Sequence, residues 1–170
     1  MAFLDQSNEW LERIAAIQKT IALPGGSAYV TTIQAAEPYL PSDMASAKCP
    51  FFINELSPSE NKTNFLAIGG IQWIETRVRM VLCVLRREQN TNLKLGIKQT
   101  LFWRNAVFTA FAAHLQLGNS VQFPRLPYIL EAPIVEWAGP SDPYEYGSTQ
   151  FIALFFTLSV KEAFQLTIGQ

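Results

Sequence analysis

Residues 74–87 read IETRVRMVLCVLRR, and this stretch decides the fold of the chain. Its even positions are nearly all apolar, and this alternation predicts a strand with one face on the core. Its odd positions begin charged and turn apolar at Val81, Cys83 and Leu85. A strand face in water would stay polar, so something covers the second half of the odd face. The pattern leaves open whether that cover comes from the same chain or from a neighbouring subunit.

A helical rhythm lies on each side of this strand. Apolar residues recur three or four positions apart over residues 7–23, and Pro24-Gly25-Gly26 ends the pattern. A second helical pattern covers residues 92–116, with Gly118 as the expected terminator. This second helix is the expected partner for the even face of the strand.

The rest of the chain predicts shorter strands and long loops. Strands are expected at residues 28–33, 51–56, 129–137 and 150–161, and loops at about 35–50, 57–64 and 138–147. The order of elements predicts one α+β domain over residues 1–170, with a mostly antiparallel sheet and two main helices packed on one face.

The composition favours a protein that packs against other subunits. Apolar residues make up 49% of the 170 positions and charged residues only 16%, against a usual charged share of about 25%. Large exposed apolar patches usually mark contact sites. A net charge of −1 gives no general attraction to nucleic acid or to anionic membranes.

No set of residues predicts catalysis, and the chain is not expected to be an enzyme or to carry a metal or cofactor. His114 is the only histidine, and a position near a helix end favours a structural role for it. Cys49 and Cys83 lack metal-ligand or redox spacing and are expected to be buried small apolar residues. The densest carboxylates are expected to form a solvated rim; they are Glu131, Glu136, Asp142 and Glu145.

The two long strands supply the candidate contact residues. The covered odd faces predict a subunit interface made by Val81, Cys83, Leu85, Phe151 and Phe155. If a neighbour covers them, aspartate at position 81 or 85 should break assembly and leave the monomer folded. Candidate polar contacts with acidic residues or phosphates of a partner are Arg77, Arg79, Arg86 and Arg87. The alternative for these arginines is an exposed face paired with Glu75 and Glu88.

Several local sequences, in this order, resemble the tail terminator, or tail completion, proteins of long-tailed bacteriophages. The N-terminal helix ends in Leu-Pro-Gly (residues 23–25), and a proline-rich stretch leads to Cys-Pro-Phe-Phe-Ile-Asn (residues 49–54). The long strand carries Arg-Val-Arg-Met-Val-Leu-Cys-Val (residues 77–84), and a helix follows it. The last strand begins near Tyr146, Gly147 and Phe151 and continues into Phe-Thr-Leu-Ser-Val.

The resemblance implies an α+β subunit without enzymatic activity that forms a ring, typically of six copies. Such a ring caps the tail tube and joins it to the head connector, with DNA only passing through its lumen. The implied partners are further copies of the chain, the tail-tube protein and the head–tail connector protein. The implied location is the head-proximal end of the virion tail, after synthesis in the host cytoplasm, and neither a signal peptide nor a spanning helix is expected.

Two alternatives stay open. The chain could be another tail component, such as a tube, adaptor or stopper protein. It could instead be a small-ligand-binding or enzymatic α+β domain, which predicts a lined pocket between the sheet and a helix.

Overall fold

The computed structural model describes ten stretches of the chain: residues 7–23, 32–37, 48–56, 62–68, 71–87, 93–114, 117, 129–130, 135–140 and 144–165. Within them lie two helices, α1 (Ser7–Thr20) and α2 (Leu93–Ala112), and eight strands. The strands are β1 (Ala35–Glu37), β2 (Phe51–Leu56), β3 (Lys62–Ile68), β4 (Ile71–Arg86), β5 (Ile129–Leu130), β6 (Glu136–Pro140), β7 (Tyr144–Tyr146) and β8 (Thr149–Gln165). The predicted α+β class with a mostly antiparallel sheet is confirmed.

Two long antiparallel strands, β4 and β8, form the centre of the sheet and pair from Ile71↔Gln165 to Arg86↔Phe151. On the outer side of β4, β2 and β3 follow one another end to end. On the outer side of β8, the short strands β5, β6 and β7 do the same. The parallel pair β1 and β2 is the exception to the antiparallel pattern.

The even-numbered face of β4 lies on the main core, as its alternation predicts. Val78, Met80 and Leu82 have no exposed surface, and they share one cluster with the even residues of β8. Buried residues of both helices join the same cluster, which is the arrangement expected if the two helices pack on one face. The helical members are Leu11, Ile14, Ala15, Ile17, Trp103, Val107 and Phe111. We call the whole cluster of strand and helix residues the first cluster, and the side of the sheet on which it lies the first face.

A second apolar cluster lies on the opposite side, which we call the second face. Its wholly buried members are Phe51, Ile53, Val81, Cys83, Phe151 and Ala153. Phe51 and Phe151 meet edge to face, with ring centroids 5.3 Å apart. The apolar half of the odd face of β4 is therefore part of a core on this side of the sheet.

A β-bulge ends the strict alternation of β4. Cys83 pairs with Ala153 and Leu85 pairs with Ile152, so Val84 is the extra residue between them. A bulge sets two successive residues of one strand against one residue of its partner. Val84 and Leu85 consequently both pack on the first cluster.

Three of the predicted loop boundaries are wrong. The loop expected at 35–50 begins with strand β1, the one at 57–64 contains the start of β3, and the one at 138–147 contains the end of β6 and all of β7. These strands are short or lie at an edge, where Gly and Pro are tolerated, so turn-forming residues hid them. Positions 38–47, 57–61 and 141–143 of these loops are outside the described residues, as are residues 28–31 of the expected strand at 28–33. Thr32 forms only an isolated bridge with Ala22.

A pair of buried amides joins α1 to β2. The side chains of Gln18 and Asn54 donate to each other's carbonyl oxygens at 2.7 and 2.9 Å. Asn54 also donates to the backbone oxygen of Glu37, at the end of β1, at 2.8 Å. Buried polar groups need such partners, so this network fixes how α1 sits against the edge of the sheet.

Candidate interaction site

Three of the five residues predicted at a subunit interface are buried inside the single chain. Val81, Cys83 and Phe151 each have no exposed surface. Side chains that are already covered have no area to give to a neighbour. The prediction that these three residues contact another subunit is therefore wrong, because they are already buried within the single chain as members of the second cluster.

Leu85 is also misplaced by the prediction, for a different reason. The bulge at Val84 turns Leu85 to the first face, where it packs partly buried against the first cluster. Strict alternation had put it on the second face beside Cys83.

Phe155 is the member of the predicted interface that reaches the surface on the second face. It is partly buried and packs against the edge of the second cluster. The guanidinium carbon of Arg79 lies 4.5 Å from the centre of its ring, which is a cation–π distance. The structure thus brings together one predicted interface residue and one predicted polar contact.

Two further side chains complete this site, which we call the Arg79 patch: Glu55, Arg79, Tyr144 and Phe155. Arg79 Nη1 lies 3.3 Å from Glu55 Oε2, and the Tyr144 hydroxyl donates to Glu55 Oε1 at 2.8 Å. The rings of Tyr144 and Phe155 meet edge to face at 5.6 Å. Strands β2, β4, β7 and β8 each contribute one residue, so the patch exists only in the folded sheet.

The electrostatics of the Arg79 patch keep Tyr144 protonated. Burial raises the pKa of the Tyr144 hydroxyl, and its hydrogen bond to the Glu55 carboxylate raises it further. Tyr144 is consequently a hydrogen-bond donor and not a source of protons in the neutral pH range.

The four predicted arginine contacts do not form one site. Arg77 shares the second face with Arg79, and its Nε lies 3.7 Å from Glu75 Oε1. Arg86 lies past the bulge, where its charge acts on Cys49. Arg87 donates to the side chain of Gln150 at 2.9 Å. The pairing of Arg77 with Glu75 matches the alternative of an exposed, salt-bridged face, whereas Glu88 is outside the described residues.

Both cysteines are free; Cys83 is buried as predicted, whereas Cys49 is only partly buried. Burial raises the pKa of the partly buried Cys49 thiol to about 11, with a smaller opposing effect from Arg86. Burial also raises the pKa of Cys83. Since the thiolate is the reactive form, both side chains are unreactive near neutral pH.

A groove of about 560 Å³ runs between the end of α1 and the outer face of α2. Its floor carries small residues of α2, and Phe102, which is 54% exposed, stands at one end. His114 lies at the other end and is one of four polar residues in the lining. The groove lies between helices, whereas the ligand-binding alternative predicts a pocket between sheet and helix, a space that Trp103, Phe111 and Phe156 fill here.

Within the described stretches, no group of three or more His, Cys, Asp or Glu residues is close enough to hold a metal ion. Of the four carboxylates expected at a rim, Glu136 and Glu145 are exposed and the other two are outside the described residues. Neither helix in the described part is long and apolar enough to cross a membrane.

The sequence pattern missed Glu55 and Tyr144 as site residues. Glu55 is one charged position in an apolar strand. Tyr144 follows the sequence Gly-Pro-Ser-Asp-Pro, which is typical of a turn and does not predict the short strand β7. The available signal was the Tyr-Glu-Tyr alternation before Gly147, which places Tyr144 and Tyr146 on one side of a short strand.

No family model matches the sequence, and comparison with curated proteins finds no similar sequence.

Proposed function

We propose that this protein is a structural subunit of a long bacteriophage tail, a tail terminator that forms a ring on the head-proximal end of the tail tube. The ring stops growth of the tube and offers a surface to the head connector. Its partners are further copies of this chain, the tube protein and the connector protein.

The order of the elements carries this proposal. The segments that resemble tail terminators are spaced along a helix, two long paired strands and the helix between them. Residues 49–54 lead into β2 and form most of it. Residues 77–84 lie within β4, and the last quoted strand is β8. The α+β fold is the class that the resemblance implies.

The surface of the chain supports assembly at places other than those first predicted. Leu101 and Phe102 are neighbouring apolar residues on α2 with 40% and 54% of their surface exposed. The Arg79 patch adds partly exposed aromatic rings beside an arginine, a combination typical of protein interfaces. Ring closure needs two different patches on each subunit, and these two surfaces lie on opposite faces of the sheet.

Arrest of tube growth tests the proposal. Purified tube protein is allowed to polymerise with and without this chain, and tube length is measured in electron micrographs. A terminator gives short tubes with one decorated end at substoichiometric amounts. A tube protein of the same machine would instead form long tubes by itself, and an adaptor or stopper would leave tube length unchanged.

A further inference from the structure

We propose that the Arg79 patch binds a carboxylate-bearing surface of a protein partner. This inference does not depend on the tail function, because it rests on charge and exposure at the second face alone.

In both ion pairs of this face the arginine side chain is more exposed than the glutamate. In the ion pair of Arg79 with Glu55 the arginine side chain is 48% exposed and the glutamate 23%. In the pair of Arg77 with Glu75 the values are 29% and 12%. Of the four side chains in these two ion pairs, that of Arg79 is therefore the most open to an approaching partner.

The neighbouring positions carry charges of both signs. Lys161 of β8 is the register partner of Glu75, so a third cation lies on the same face. Glu136 is an exposed carboxylate at the register position of Thr157, on the outer side of β8. On this face the two central strands thus carry four cations, Arg77, Arg79, Arg86 and Lys161, and Glu136 adds an exposed carboxylate next to β8.

The side chain of Arg79 is ordered before a partner binds. Its ion pair with Glu55 and its position over the Phe155 ring both restrain a long side chain before any partner arrives. An arginine has five N–H donors, and the bond to Glu55 uses the Nη1 group. A carboxylate is the group that matches a partly satisfied guanidinium, and preordering reduces the entropy lost on binding.

The surroundings favour a protein over a nucleic acid. The net charge of the protein is −1, which gives no general attraction to a chain of phosphates. Arginine with tyrosine and phenylalanine rings is the composition of protein–protein hot spots.

Three variants of the full chain test the proposal with a copolymer of glutamate and tyrosine as the probe, in low salt and by fluorescence anisotropy. Arg79→Gln removes the charge and should weaken binding about tenfold or more. Glu55→Gln keeps an acceptor for Tyr144 but frees the guanidinium, and should tighten binding by a factor of about three. Arg104→Gln is the matched control, because Arg104 also lies over an aromatic ring, Trp137 at 4.8 Å, on the first face.

Opposite changes in Arg79→Gln and Glu55→Gln, with Arg104→Gln unchanged, support the assignment. Equal loss in Arg79→Gln and Arg104→Gln, no tightening in Glu55→Gln, or no binding of the copolymer overturns it. If oligothymidylate binds the wild-type chain as tightly and with the same dependence on Arg79, the ligand is a phosphate and not an acidic protein. Circular dichroism of each variant shows that its fold is retained.

Discussion

The side-chain amides of Gln18 and Asn54 decide how α1 joins the sheet. Each has almost no exposed surface and completes the other's hydrogen bonds. Asn54→Ala leaves the Gln18 amide buried without this partner, and we expect it to lower the free energy of unfolding by about 1–3 kcal/mol. Urea denaturation followed by circular dichroism measures the change.

A double variant and a surface control separate this effect from general damage. Gln18→Leu combined with Asn54→Leu removes both polar groups, so its cost should be smaller than the sum of the two single costs. Gln34→Ala removes exposed hydrogen bonds to Thr32 and should change stability by less than about 0.5 kcal/mol. Strictly additive losses at positions 18 and 54 would show that the two amides do not act as a pair.

The Cys49 thiol makes the fold sensitive to alkaline pH. Its pKa is about 11 in the folded chain, above the ordinary value of about 8.5 for cysteine. Above that ordinary value the unfolded chain loses this proton first, so the free energy of unfolding falls as pH rises from about 8.5 to about 11. The raised pKa values of Cys83 and Tyr144 act in the same direction at high pH.

Cys49→Ala tests this dependence on pH. We expect the variant to lose less stability than the wild-type chain when urea denaturation is repeated at about pH 8 and about pH 10, because one proton-releasing group is gone. An identical loss in the two proteins would exclude Cys49 as a contributor.

At the scale of elements, β4 is buried on both faces of the sheet over residues 80–84, within the single chain. Val81→Asp puts a charge into the second cluster, where Val81 has no exposed surface. We expect it to destabilise the monomer by about 3 kcal/mol or more and to prevent folding. Arg79→Gln, two residues earlier on the same face and exposed, should fold normally. A folded Val81→Asp monomer that has lost only assembly would restore the interface that the sequence predicted.

The β7–β8 hairpin depends on a glycine at its turn. Gly147 has φ of +61°, and a side chain there would meet no atom within 4 Å. The cost of Gly147→Ala is therefore one of backbone conformation alone, about 1 kcal/mol, whereas Gly147→Asn should cost less because asparagine tolerates this region. Thermal denaturation ranks the three proteins, and a more stable alanine variant would contradict the assignment.

Alternation and helical rhythm predicted the large elements because each is long enough to repeat its pattern several times. The even face of β4 and the stripe of α1 are examples, since Met80, Leu82, Leu11 and Ile14 are all buried as expected. Short strands repeat too little for this, so the sequence pattern predicts loops where β1 and β7 lie. The bulge at Val84 has no sequence signature, so the position of Leu85 was wrong. The Arg79 patch joins β2 and β4 to the β7–β8 hairpin, which is distant from both in sequence, and pairing of that kind is set by the whole sheet.

For the molecule as a whole, no neighbouring subunit is needed to explain the apolar second face of β4, because the single chain already buries it. Two apolar clusters, one on each face of a single sheet, account for much of the apolar content. For the proposed ring, we expect the contacts to use surfaces that stay exposed in the monomer, and within the described residues the Arg79 patch and the outer face of α2 near Phe102 are such surfaces. Subunit contacts of this kind join folded monomers and do not complete their cores.

Mass photometry of the purified chain, alone and mixed with isolated tail tubes, tests the central claim most directly. We expect a closed ring, of about six copies as in the proteins it resembles, that is populated either alone or at the tube end. A particle that stays monomeric at all concentrations and ignores tail tubes would contradict the proposed function.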